Sequence, residues 1–151
     1  MKHTLFVPGV PIPQGSKRIG RNKATGRALV IEDNRGLPAW RNAVAFAWRH
    51  SGHPAVTGPV DVELTFYLPR PRGHYGAGRN ADRLRPSAPA VPAVPPDADK
   101  LERAVNDALT RAGAWEDDAR IIDTVRRKRY ADDHPVGVQI TLTPHPEEST
   151  P

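Results

Sequence analysis

Residues 96–123 read PDADKLERAVNDALTRAGAWEDDARIID, and the rest of the chain is best understood outward from this stretch. Two aspartates, Asp97 and Asp99, stand at its start. Apolar residues then recur at Leu101, Ala104, Val105, Ala108, Leu109 and Ala112, the stripe of an amphipathic helix. The spacing predicts a helix over 100–112. Asp99 reads as its N-cap, with Glu102 three residues on in a capping-box arrangement. Gly113 suits the position just past the helix end. Trp115 leads into a second acidic cluster, Glu116, Asp117 and Asp118, and then into an apolar strand start at Ile121 and Ile122. A helix and its connection can fold the two acidic clusters toward each other. Three or four carboxylates at one point repel unless a divalent cation neutralises them.

Each acid also has a plainer use. An N-cap needs no metal, and Asp117 and Asp118 suit a turn. Asp97 is harder to explain that way. In an extended approach to a helix, residues two apart point to one side, so Asp97 and Asp99 would present their carboxylates together. Arg103 lies one turn after Asp99, where a cation can stabilise the charge that develops in phosphoryl transfer. The alternative is an i,i+4 ion pair with Asp107. Oxygen ligands without cysteine or paired histidines favour Mg²⁺, or Mn²⁺, over Zn²⁺. The six histidines show no HExxH spacing, and no phosphate-binding G-x-x-x-x-G-K-[ST] loop is present. The stretch therefore reads as a magnesium-dependent nuclease site.

The 151 residues suit a single domain. The boundaries are 1–143 for the domain and 144–151 for a flexible polar tail. A formal charge of +5 and a pI near 10.0 point to a polyanionic partner. The chain has no cysteine, which removes disulfides and thiolate metal sites and suits a reducing compartment. The first residues, MKHTLFVPGVPIP, hold no apolar run long enough for a signal peptide or membrane span, so the expectation is a cytoplasmic protein without a membrane partner.

Upstream, residues 4–7 read as a first strand, followed by a proline-extended segment. Lys17, Arg18, Arg21, Lys23 and Arg27, with glycines between, make a basic loop that either contacts DNA phosphates or is simply solvated. A short strand over 28–31 follows. Trp40, Val44, Ala47 and Trp48, broadened by Ala43 and Phe46, form the apolar face of a core helix over 38–50. Residues 60–68 alternate cleanly, Val60, Val62, Leu64, Phe66 and Leu68 against Asp61, Glu63, Thr65 and Tyr67, as in a half-buried strand. Residues 69–96 carry seven prolines and five arginines in a long excursion, either an arm near the substrate or a disordered loop. A strand over 120–130 ends on the basic run Arg126, Arg127, Lys128 and Arg129, and a last strand covers 136–142. This order predicts an α+β fold, with one mixed sheet packed by two helices and the last two strands as antiparallel neighbours.

The run P-D-A-D-K-L-x-R-A-V-x-D-A-L followed by G-A-W-E-D-D-A-R-I-I-D resembles the RusA family of Holliday-junction resolvases, typically encoded by phages and prophages. The resemblance is specific over 96–123. It extends more weakly to F-Y-L-P-R-P-R-G-H before the long loop and to the opening P-x-P-Q-G-S-K-R. It implies a homodimeric, metal-dependent α+β nuclease that cuts four-way DNA junctions with paired, symmetric nicks in recombination and repair. The family's catalytic aspartates fall on Asp97, Asp99 and Asp118, with Asp117 beside the last as a further metal ligand. The family's basic residue on the helix is a lysine in its best-known member; here it is Arg103, with a lysine at Lys100 instead. Lys100 joins the two basic clusters, Lys17 to Arg27 and Arg126 to Arg129, as a candidate DNA contact. The 69–96 loop is long for the family's smallest members. Two rivals remain: a non-catalytic DNA-binding accessory protein with the same fold, and a metal-dependent nucleotide hydrolase.

Overall fold

The structure, a computed structural model, describes residues 1–15, 18–31 and 35–146. Its central strand is β4, Val60–Leu68, where the alternation places Val60, Val62, Leu64, Phe66 and Leu68 in the core. The remaining elements are β1 (His3–Pro8), β2 (Arg18–Arg21), β3 (Ala28–Ile31), α1 (Leu37–His50), α2 (Ala98–Ala112), β5 (Ile121–Tyr130) and β6 (Gly137–Pro144). The fold is α+β: a mixed four-stranded sheet ordered β1-β6-β4-β5, with β2 and β3 forming a separate antiparallel hairpin. Beside the core residues of β4 lie Trp40, Val44 and Trp48 of α1, Leu101, Val105 and Leu109 of α2, and Val138, Ile140 and Leu142 of β6. Each large apolar side chain buried there contributes about 1.5–3 kcal/mol. Both helices thus pack on one face of the sheet, and Asp61, Glu63, Thr65 and Tyr67 lie on the other.

Three expectations are corrected. The last two strands are not neighbours. β6 runs antiparallel between β1 and β4, and β5 lies parallel to β4 at the sheet edge. Parallel strands need a long crossover, and α2 with the arm before it supplies one. The alternating β6 suits an interior position, whereas the charges of β5 suit an edge. Phe46 does not broaden the core face of α1; it is 61% exposed and stacks on His50 at 3.9 Å. The third correction concerns the start of α2. Its N-cap is Asp97, whose carbonyl accepts the Leu101 amide at 3.1 Å, and Asp99 sits in the first turn. No capping box forms. Glu102 receives Asn106 Nδ2 at 3.3 Å and pairs with Arg126 instead. Two residues astride a helix boundary do not share the extended strand's two-residue period, so the side-by-side arrangement argued for Asp97 and Asp99 is lost.

The 69–96 segment is an arm tied down along its length. Arg70, with only 4% of its side chain exposed, donates from Nε and Nη2 to Asp132 at 2.6 and 3.2 Å and from Nη1 to the Pro89 carbonyl at 2.7 Å. Its guanidinium lies 4.2 Å over the Tyr130 ring. Tyr75 and Leu84 form a β-bridge, and Arg85 Nε donates to the Tyr75 carbonyl at 2.7 Å. Lys128 Nζ closes the arm by donating to the carbonyls of Val94 and Pro96 at 2.8 and 2.9 Å. The arm thereby delivers the chain to Asp97 in a set direction.

Candidate active site

The polar side of α2 builds the site. Asp99, Glu102, Arg103, Asn106 and Asp107 follow the i, i+3, i+4, i+7, i+8 spacing of a single helix face. They line an open cavity of about 210 Å³, and Asp118 is its remaining lining residue. The connection after α2 brings Asp118 back. Gly113 takes φ 81°, the left-handed conformation that glycine adopts without a Cβ penalty, and its N–H bonds back to Thr110. Ala114 N returns to the Leu109 carbonyl at 3.0 Å. Trp115, 2% exposed, is anchored by Nε1 donating to Thr110 Oγ1 at 2.8 Å. A single 3-10 turn, Asp118–Arg120, then packs against α2.

Within this turn the two neighbouring aspartates differ. The Asp117 carboxylate caps the turn by accepting the Ala119 amide at 2.8 Å. That hydrogen bond holds its carboxyl below the ordinary range, and a second from Asp118 adds to it. The Asp118 carboxyl is pushed up, first by its hydrogen bond to Asp117, then by desolvation and by the charges of Asp117 and Asp107. Of the two, Asp118 is therefore the carboxyl whose charged form is disfavoured, and the charge of Asp107 adds to that.

Of the expected residues, the cavity gathers Asp99, Arg103 and Asp118. Asp97 and Asp117 do not line it; Asp97 faces Lys100 at 3.7 Å. Glu102, Asn106 and Asp107 join the site without having been expected there. The helical spacing from Asp99 was the signal that marks them. Asp107 accepts Gln14 Nε2 at 2.6 Å, and among the described residues no ion pair joins it to Arg103.

The donors suit a hard divalent cation. Four carboxylates line the cavity, the chain has no cysteine, and Asn106 Oδ1 on the same wall is buried without a hydrogen-bond partner. Among the described residues, the three ligand groups that come close enough together to share one ion stand apart from this cavity. Asp61, Asp123 and His145 bring their ligand atoms within 4.8 Å of one another, with His145 Nδ1 2.6 Å from Asp61.

The basic residues separate into two sets. Lys17 lies outside the described residues, and of Arg18 only the strand position is described. Arg21, Lys23 and Arg27 are exposed on the β2–β3 hairpin. The run at the end of β5 alternates across the sheet. Arg126 pairs with Glu102 beside the cavity, Arg127 pairs with Glu63, and Lys128 holds the arm. Arg129 is exposed and bonds the Lys128 carbonyl. No helix is long and apolar enough to cross a membrane among the described residues.

Comparison with known proteins identifies a family. The sequence model of the family described as endodeoxyribonuclease RusA matches residues 8–143. The chain is also 25% identical over 141 residues to the uncharacterized protein YqaN of Bacillus subtilis (strain 168), covering 93% of this chain and 94% of that protein.

Proposed function

The chain belongs to the RusA endodeoxyribonuclease family, and from that premise we propose that it resolves four-way DNA junctions by metal-assisted phosphodiester hydrolysis, with Mg²⁺ as the ion and Mn²⁺ as a substitute. The observation that carries this reading is the cavity that Asp99 and Asp118, from the two ends of the decisive stretch, line together with Arg103. A divalent cation held there supplies Lewis acidity to a phosphodiester. Asp99 and Asp118 are its proposed ligands, with Asp97 at the mouth of the helix and Asp117 behind Asp118.

Arg103 is exposed at the cavity and supplies a fixed positive charge. Its role is to stabilise the extra negative charge on phosphate as the bond to the leaving oxygen breaks. Asp117 caps the turn that carries Asp118, accepting the Ala119 amide at 2.8 Å, and so helps to hold Asp118 at the cavity. The hairpin residues Arg21, Lys23 and Arg27, with Lys17, Arg18, Lys100 and Arg126 to Arg129, are the proposed phosphate contacts. A four-way junction has approximate two-fold symmetry, and paired cuts need two sites in matching register, which a two-fold symmetric homodimer provides.

The test uses a synthetic four-way junction with wild type and Asp118→Asn, with and without Mg²⁺. Wild type should make paired nicks only with the ion. Asp118→Asn should bind the junction with cleavage reduced by about 10³ or more. Wild type that binds the junction and cuts with neither Mg²⁺ nor Mn²⁺ would leave a DNA-binding accessory protein as the answer.

A further inference from the structure

Asp61 of β4, on the sheet face away from the helices, stands opposite Asp123 of β5 in the register of the parallel pair. Like charges opposite each other on neighbouring strands repel. Glu63, the next polar residue along that face of β4, is answered by Arg127 of β5. Asp61 and Asp123 have no such answer. Among the described residues, neither pairs with a lysine or an arginine. Their shared neighbour is His145, just past the end of β6. Its Nδ1 lies 2.6 Å from Asp61 Oδ1 and 3.7 Å from Asp123 Oδ2.

The backbone sets this group up. The pairing of β4 with β5 shifts register between Val60 and Asp61, an irregularity of the kind that re-aims a side chain. His145 is fixed beyond the strand end by its own N–H, which donates to the Pro59 carbonyl at 2.9 Å. Its ring is half-buried, whereas Asp123 keeps 71% of its side chain exposed, so the group is open to solvent ions. One ligand atom from each of the three residues lies within 4.8 Å of the other two. Around one tetrahedral ion such atoms stand about 3.3 Å apart, within reach of small side-chain rotations. A protonated imidazole offsets only one of the two carboxylate charges, whereas a divalent ion on a neutral imidazole offsets both. A ring nitrogen among the oxygens favours Zn²⁺ over Mg²⁺.

We propose that Asp61, Asp123 and His145 form a Zn²⁺ site separate from the α2 cavity, with its fourth position left to water. The ion joins three parts of the sheet at one end: β4 through Asp61, β5 through Asp123, and the chain leaving β6 through His145. In the four-stranded sheet β5 is an edge strand held by β4 alone, so this site fastens the strand that carries Arg126 to Arg129. None of the three residues lines the α2 cavity, and the proposal does not rest on the nuclease reading.

The test is a calorimetric titration of Zn²⁺ into the intact protein without DNA, in the presence of excess Mg²⁺. Wild type and Asp118→Asn are compared, and the Asp118→Asn chain is then also given Asp123→Asn or His145→Ala. Each variant is checked for folding by circular dichroism. One Zn²⁺ event should survive Asp118→Asn, and His145→Ala or Asp123→Asn should weaken it by about 100-fold. Nuclear magnetic resonance of the histidine rings should show the Nδ1 signal of His145 shifting as that event saturates. Asp123 is exposed, so Asp123→Asn carries the test if His145→Ala does not fold. If no Zn²⁺ event survives Asp118→Asn, or the surviving event is indifferent to Asp123→Asn and His145→Ala, the three residues are only an ion pair around a protonated imidazole and the proposal falls. Junction cleavage with Mg²⁺ by Asp123→Asn in the otherwise wild-type chain is read separately. Loss of the Zn²⁺ event with cleavage intact leaves the nuclease reading standing, and a wild type that binds Zn²⁺ here but never cuts leaves this site standing without it.

Discussion

Arg103 stands where the resemblance implies a lysine, and its chemistry can be tested apart from the metal. Lysine and arginine both bring a positive charge, but arginine offers a planar fork that meets two phosphate oxygens at once. If charge beside the phosphate is what matters, Arg103→Lys should keep single-turnover junction cleavage within about tenfold, while Arg103→Ala should lose about 100-fold. Junction affinity should change little in either variant, since one contact among many is altered. Asp97 and Asp99 are also distinct at this scale. Asp97 occupies the cap position without a side-chain cap bond, so Asp97→Asn leaves that helix end as it is. Asp99 sits inside the first turn, where a negative charge favours the positive end of the helix dipole. Asp99→Asn therefore changes helix stability as well as the site, by a few tenths of a kcal/mol.

The arm over 69–96 is where an element does what its composition conceals. Seven prolines and no period leave nothing for a sequence pattern to hold, so order and disorder read alike. Order comes from Arg70, which reaches Asp132 in the turn before β6 and the Pro89 carbonyl within the arm itself. Arg70→Ala should loosen the arm, giving faster tryptic cleavage between Arg72 and Arg85. The global stability loss in urea should be modest, about 1–2 kcal/mol, because Asp132 is half exposed. The clamp also carries a pH dependence. The hydrogen bond from Arg70 holds the Asp132 carboxyl below its ordinary value of 3.8. A group whose folded pKa is lowered stabilises fully above its unfolded pKa and loses that contribution as pH falls through the folded value. Arm protection is therefore expected to be complete at neutral pH and to fade only below about pH 4, and in Asp132→Asn this part of the acid sensitivity should vanish.

At the scale of the whole molecule, a basic hairpin stands apart from the four-stranded sheet, and the N-terminal segment that leads into it is fastened to α2 at Gln14. If Arg21, Lys23 and Arg27 each neutralise a phosphate, junction affinity should fall steeply with salt. Replacing all three with alanine should flatten the slope of log affinity against log salt by about 3. An unchanged slope would move DNA binding elsewhere on the protein. Much of this architecture was legible in the sequence. The alternation of 60–68 and the apolar stripe from Leu101 to Ala112 specify a strand and a helix, because each period can bury one face in only one way. The turn residues from Gly113 to Asp118 likewise return the chain to the polar face of the helix it has just left. What the sequence could not decide were the relations among elements distant along the chain. The parallel placement of β5 beside β4 depends on where a whole crossover packs. The shift of the cap from Asp99 to Asp97 depends on how the arm delivers the chain to the helix. The gathering of Asp107, Asn106 and Gln14 depends on a contact spanning 93 residues. Local periodicity determined the elements of this protein; the packing of two helices on one sheet decided which of its many acids face one another.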